Sequence, residues 1–296
     1  MALVATAASF LAWGVLPVYW KALQSVGAFE IVSHRIVWSL AFSAALVSSQ
    51  RGWKALRAAA SGIRAIRVFF LSAALLALNW FTYIWAVNHN NVLETSLGYY
   101  ICPLVNVALG RVFLKERLRA WQKAAIALAS LGVLNQIVWI GSVPLSAIVL
   151  AVTFALYGLI RKTAPLGSLD GLVVESALLS APALACIVCW AAQGRGALGH
   201  ADLATHLLLA GTGIVTSLPL LWFAYGARRT PLTTVGFLQY LSPTCGFLLG
   251  VFAYGEPFDL SRVVTFCLVW AGLIVYSAEG VWRLKQDRKA ALKRAG

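Results

Sequence analysis

The chain has 296 residues, 60% hydrophobic and 11% charged, with a mean hydropathy of +0.80 and a formal net charge of +14. An average soluble domain carries about 25% charged residues, so this composition excludes a disordered chain and a soluble globule and points to a bilayer. The basic excess does not indicate nucleic acid, because it falls in short clusters between apolar runs rather than on one solvent-exposed face.

Windows of about 20 apolar residues predict ten spans, near 3–22, 30–49, 68–87, 92–112, 121–140, 144–160, 171–192, 205–226, 232–253 and 262–281. No Lys or Arg precedes the first, which reads as a transmembrane helix rather than a cleaved leader. The second opens "FEIVSHRIVWS", with His34 and Arg35 side by side near its start. The third carries Asn79 and Tyr83 one turn apart. The fourth begins at Glu94 and sets Tyr99, Cys102 and Asn106 on one face beside Pro103. The seventh holds Glu175, and the ninth repeats the polar face of the fourth with Gln239, Ser242 and Gly246 beside Pro243. The first and sixth present Trp13 and Tyr157 at equivalent positions. Cys102, Cys186, Cys189, Cys245 and Cys267 all fall inside apolar segments, which argues against a disulfide framework, and the CxxC of Cys186 and Cys189 has no partner for a metal. No cofactor or metal is expected.

Alternate loops differ in charge. One side receives 20 of the 24 Lys and Arg residues, including Arg161, Lys162 and the tail from Arg283; the other has only Lys21, Arg195 and Arg262, with Arg35 inside a span. The positive-inside rule then places both termini in the cytoplasm.

Five spans per half require the second half to lie upside down if the two are related. "YICPLVNVALGRVFLKE" (100–116) and "YLSPTCGFLLGVFAYGE" (240–256) pair Tyr100 with Tyr240, Pro103 with Pro243, Gly110 with Gly250 and Glu116 with Glu256 at one constant spacing. "FLAWG" (10–14) answers "FALYG" (154–158), and "WFTY" (80–83) answers "WFAY" (222–225). The expected architecture is an all-α integral membrane protein, a single transporter domain over 1–296, with ten transmembrane helices as two inverted five-helix repeats, 1–140 and 141–296, around a central cavity. Such repeats build alternating access around a midplane site.

"EIVSHRIVWS", "NWFTYIWAVN", "LETSLGYYICPLVNVALG" and "GFLQYLSPT" resemble the RarD branch of the EamA-type drug/metabolite transporters over nearly the whole chain. The resemblance implies the ten-helix inverted-repeat fold, a bacterial inner-membrane location and export of small metabolites or drugs. Some related members export amino acids, and RarD itself is associated with chloramphenicol sensitivity.

Features present in both halves read as architecture, and features in one half as chemistry. Glu116 and Glu256 are symmetric and read as partners of exposed backbone or a neighbouring loop. Pro103 and Pro243 either free a carbonyl beside the cavity, at Tyr99 and Gln239, or only kink the span. His34 and Arg35 are unmatched by any basic residue in the seventh span. Arg35 lies about 7.5 Å inside the hydrocarbon core; it pairs with Glu94 or an anionic substrate group, or snorkels to the headgroups. His34 reads as a hydrogen-bonded packing residue or a proton relay. Trp13, Asn79, Tyr83, Tyr99, Asn106, Tyr157 and Gln239 are candidates for an aromatic and amide wall around a small amphipathic, amino-acid-like ligand. Glu175 reads as a proton-coupling acid or an interfacial one. The expected partners are a small-molecule substrate, membrane lipids and protons. An embedded enzyme would need a nucleophile and base, or metal ligands, at one depth. A channel or scramblase without coupled transport would want charge rings or pore loops. Neither pattern is present in the sequence.

Overall fold

The computed structural model describes residues 1–50, 53, 54, 56, 62–88, 92–141, 145–253 and 260–295; within these, the side chains at 84, 87, 88, 92–94, 140, 250, 262, 281, 283–285 and 287–295 are not described. Glu256 and His89 lie outside the described residues, as does the Glu94 side chain. The helices are α1 (Ala2–Lys21), α2 (Ala28–Gln50), α3 (Ile63–Asn88), α4 (Val92–Phe113), α5 (Ala120–Ile140), α6 (Leu145–Thr163), α7 (Ser168–Ala192), α8 (Leu203–Ala227), the segmented α9 (Leu232–Ala253) and α10 (Leu260–Ala295). Among the described residues, nine helices are long and apolar enough to cross a membrane. The protein is an all-α integral membrane protein. The predicted fifth span coincides with α5, whose 21 residues include Asn135 and Gln136 and which is not among the nine.

Local sequence sets several helix ends. α5 stops at Gly141, which takes the left-handed conformation at φ 70° and returns its N–H to Ile137 O. α8 starts at Asp202, whose carboxylate accepts from Thr205 N at 3.0 Å. The α4–α5 loop folds Glu116 back onto the start of α9, where it accepts from Leu232 N at 2.6 Å, Thr233 N at 2.9 Å and Thr233 Oγ1 at 2.6 Å. A carboxylate there satisfies helix N–H groups that have no intrahelical partner and meets the positive end of the helix dipole.

The equivalent prolines behave differently. α4 continues through Pro103, whereas α9 divides at Tyr240 into Leu232–Gln239 and Leu241–Leu248, then ends in a π-helical turn, Leu249–Ala253. Pro243 has no N–H to give the Gln239 carbonyl, and its ring crowds that carbonyl. The Tyr240 hydroxyl donates to Tyr100 O at 3.2 Å, tying the break to α4.

Helix pairing forms two series. α2 packs on α7, α4 on α9 and α5 on α10. The α4–α6 contact has a counterpart in α9–α1, α3–α6 in α8–α1, and α2–α8 in α7–α3. Small residues allow the closest crossings. A Cβ on Gly236 of α9 would stand 2.7 Å from Pro103 O on α4, and one on Gly14 of α1 would stand 2.9 Å from Ser242 O on α9. The largest core cluster gathers Phe10, Leu76, Tyr157, Leu220, Phe223 and Val235.

Candidate functional site

Arg35 points into the bundle. Its guanidinium lies over the Trp20 ring of α1 at 4.8 Å and the Trp80 ring of α3 at 4.9 Å, and its Nε donates to Thr216 Oγ1 of α8 at 3.1 Å. Tyr83 of α3 and Tyr99 of α4 lie within electrostatic reach of the same charge. Four helices besides α2 therefore converge on it, which is not the surrounding of a side chain reaching out to headgroups. Tyr83 is 41% and Tyr99 46% exposed, so part of each ring beside this cation is left uncovered by the bundle.

His34 faces elsewhere. It is buried, with Nε2 3.9 Å from Glu30 Oε1 one turn earlier. Glu30 accepts from Ala197 N at 2.6 Å, fastening the start of α2 to the loop between α7 and α8. Gly196 at φ 92° permits that approach, since a Cβ there would lie 2.7 Å from Glu30 Oε1.

A second polar centre lies toward the opposite end of the bundle. Glu175 of α7 is 1% exposed and accepts from Ser72 Oγ of α3 at 2.5 Å and from the Tyr157 hydroxyl of α6 at 3.4 Å. Arg161 of α6, also 1% exposed, places Nη1 3.5 Å from Glu175 Oε1. Its Nη2 donates to Ser168 O at 2.9 Å, and its guanidinium lies 5.4 Å from the Phe69 ring centre. Arg161 is therefore not one of the loop cations that its place in the charge count implies: it is enclosed and supplies the basic partner that Glu175 lacks in its own span. The available signal was spacing: Arg161 follows Tyr157 by four residues and so shares its helix face.

Between the two centres lies a cavity of about 10 Å³, the size of one water, bordered by Ser39, Trp80, Glu175, Ser176 and Leu220. Trp80 thus has one role at Arg35 and another beside Glu175.

The remaining candidates occupy three settings. Asn106 and Gln239 are buried and bonded to each other across α4 and α9, Nδ2 to Oε1 at 2.9 Å. Asn79 Nδ2 donates to Leu150 O and Thr153 Oγ1 of α6, both at 2.9 Å. Trp13 and Tyr157 join one ring cluster: Trp13 meets Phe10, Phe154 and Phe223 at 5.5–5.6 Å, and Tyr157 stacks on Phe223 at 6.0 Å. The proposed Arg35–Glu94 pair falls outside the described side chains. Among the described residues, no group of three or more His, Cys, Asp or Glu is placed to hold a metal.

The model of the EamA-like transporter family matches residues 1–135 and again 141–278. The uncharacterized transporter YojE of Bacillus subtilis is 43% identical over 94% of this chain and 94% of its own length. Protein RarD of Escherichia coli K12 is 40% identical over 97% of both chains. The chloramphenicol-sensitive protein RarD of Pseudomonas aeruginosa is 31% identical over 98% of this chain and 97% of its own. A solved crystal structure superposes with a TM-score of 0.71 at 21% identity, over 93% of this chain and 96% of that one, a likeness of fold. An all-helical bundle of apolar spans with charged groups turned inward, matched along its length by bacterial transporters, belongs to the EamA-like transporter family, in its RarD branch.

Proposed function

We propose that this bacterial membrane transporter exports small amphipathic compounds bearing an anionic group, amino-acid-like or drug-like in size, by alternating access. The observation that carries the reading is the setting of Arg35: a cation held by two indole faces and one hydroxyl, with two exposed tyrosines beside it. Cation–π contacts orient a guanidinium without neutralising it, so its charge stays available to a carboxylate or phosphate entering an aromatic pocket.

The architecture proposed is ten spans in two inverted halves, 1–140 and 141–296, with both termini in the cytoplasm. Two successive matches to one family model and the mirrored helix pairing support the repeat. The distribution of basic residues supports the orientation. Under that orientation the Arg35 pocket opens outward and the Glu175 centre closes the inner side, the arrangement of an outward-facing transporter.

The test is thermal stabilisation of the purified protein by aromatic and thiol amino acids, cationic dyes, chloramphenicol and phosphorylated metabolites, on wild type and Arg35→Ala. A ligand that binds the folded state raises its apparent stability. An anionic or zwitterionic compound that stabilises wild type but not a folded Arg35→Ala supports the reading. Stabilisation retained in Arg35→Ala, or confined to the cationic dyes, refutes the anion-binding role.

A further inference from the structure

We propose that Glu175 is the proton-binding site of the transport cycle and that its ion pair with Arg161 is the inner gate. This rests on the transporter reading and adds its coupling ion. The pair joins α7 to α6, and Ser72 joins it to α3, so three helices meet on one carboxylate. Beyond it, the end of α6 and the α6–α7 loop are laced to the end of α8 and the turn that follows it. Lys162 Nζ donates to Ala227 O at 3.0 Å and Thr230 O at 2.5 Å, and Arg228 Nη1 donates to Ala164 O at 2.7 Å and Leu166 O at 2.6 Å. Those cations satisfy carbonyls and can hold the mouth shut only while the helices stay together; the charge pair above them is a contact that a proton can cancel.

The fit around Arg161 is close. A Cβ at Gly171 would collide with Arg161 Nη1, so only glycine admits the guanidinium against α7. Two of its nitrogens, Nε and Nη1, have no hydrogen-bond partner among the described residues, and Nη1 meets the carboxylate only through charge. A guanidinium cannot shed its proton, whereas a carboxylate can gain one. Removing the carboxylate's charge leaves a buried cation with a single strong backbone acceptor, Ser168 O, and the least costly response is to expose it to cytoplasmic water.

Glu175 borders a cavity large enough for one water. Among the described side chains, the groups facing Glu175 are Tyr157 and Arg161 from α6, Ser72 from α3 and, across the water-sized cavity, Ser39 from α2; α8 offers Leu220, with Arg228 behind Arg161. Asp170 lies earlier on the same helix, in its first turn. Ser39 Oγ has no protein partner there, and Trp80 separates this cavity from the outward pocket. In the outward-facing state one proton passes from water to a Glu175 carboxylate oxygen and forms an O–H bond. The ion pair is lost, and Glu175 with the α3 hydroxyl bonded to it is released from Arg161 of α6. When Arg161 pairs again, the proton leaves to the cytoplasm. One proton thus moves inward for each substrate moved outward.

The test needs no substrate, so its failure and that of the anion-binding reading are separable. Ser176 lines the cavity; Ser176→Cys in a background without the five native cysteines is labelled from the cytoplasmic side of inside-out vesicles with a membrane-impermeant maleimide. Because a maleimide reacts with the thiolate, each rate is divided by that of free glutathione with the same reagent at the same pH; this relative rate should be low at high pH and rise about tenfold per unit of pH lowered, until Glu175 is fully protonated. Glu175→Gln, which imitates the protonated acid, should show a high relative rate at every pH. Infrared difference spectra between the two pH limits should contain a carboxylic C=O band absent from Glu175→Gln. A wild-type relative rate that ignores pH overturns the proposal, even if the Gln variant does not fold. So does pH dependence that survives Glu175→Gln, or slow labelling in that variant.

Discussion

Alanine at Gly14, Gly158 and Gly246 should give three different stabilities for one chemical change. Each substitution relieves the intrinsic cost of glycine in a helix, worth about 1 kcal/mol in soluble hosts. What the new methyl meets differs. At Gly14 it would stand 2.5 Å from Cys245 Cβ, 2.9 Å from Ser242 O and 3.2 Å from Ser242 Cα. Carbon atoms prefer about 3.5–4.0 Å, so α1 must back away from α9 by about 1 Å, against backbone that cannot yield. Overpacking of this kind costs about 1–3 kcal/mol, for a net loss of up to about 2 kcal/mol. At Gly158, the matching glycine of the sixth span, the neighbours are Phe223 Cζ at 3.2 Å and Asn106 Oδ1 at 3.7 Å. A ring edge can swing by a few tenths of an ångström, so the two terms nearly cancel. At Gly246 nothing lies within 4 Å, and the helix term remains as a gain of up to about 1 kcal/mol. Thermal unfolding in detergent, followed by tryptophan fluorescence, should rank the midpoints Gly246→Ala, Gly158→Ala, Gly14→Ala from highest to lowest. If Gly14→Ala melts at or above Gly246→Ala, the α1–α9 crossing is not packed as described and the reasoning fails.

Glu116→Ala strips three acceptor contacts from the start of α9 and should cost about 0.5–2 kcal/mol, the range for a lost cap; Glu116→Gln should recover part of it, read as the same unfolding midpoint. Asp202 is held below its ordinary value of 3.8 by the hydrogen bonds from Thr205. A depressed carboxylate contributes stability that is present above its unfolded pKa and lost as pH falls through the folded one. Wild type should therefore lose the α8 cap in acid below that ordinary value, while Asp202→Asn, which caps without titrating, should show a flatter melting profile over the same range.

Span positions were legible because ten long apolar runs separated by short charged loops leave little freedom, and α2 and α4 begin and end within a residue or two of their predicted bounds. Rotation about each axis was not, because helices apolar all round carry no stripe to say which side faces in. Arg35 was visible as an embedded charge, yet its partners, Trp20, Trp80 and Thr216, come from three other helices. Asn79 and Tyr83 share a face by spacing, but Asn79 bonds to the α6 backbone while Tyr83 is left open to the pocket. Arg161 was hidden by company: beside Lys162, in a count of loop charges, it reads as one more cytoplasmic cation. Burial against Phe69 and Gly171 distinguishes it, and both come from other helices.

In the proposed repeat, Arg35 and Glu175 stand 140 residues apart, the spacing of Tyr100 and Tyr240, and Glu30 and Asp170 share it. Both charges bond a hydroxyl on the equivalent helix, Thr216 of α8 and Ser72 of α3. The scaffold is common to the halves and the sign of the charge is inverted. Two halves alike in every side chain would seal inner and outer mouths with equal free energy, leaving no preferred resting side. Under the proposed orientation and gate, Glu175 meets an opposite charge in Arg161, which holds the inner mouth closed while both are ionised. The outer charge meets indole faces, worth about 0.5–2 kcal/mol, which leave its positive field directed into the open pocket. Under the proposed orientation and direction of transport, the resting state would be closed inside and open outside, the state in which an exporter has released its cargo and accepts the proton that resets it.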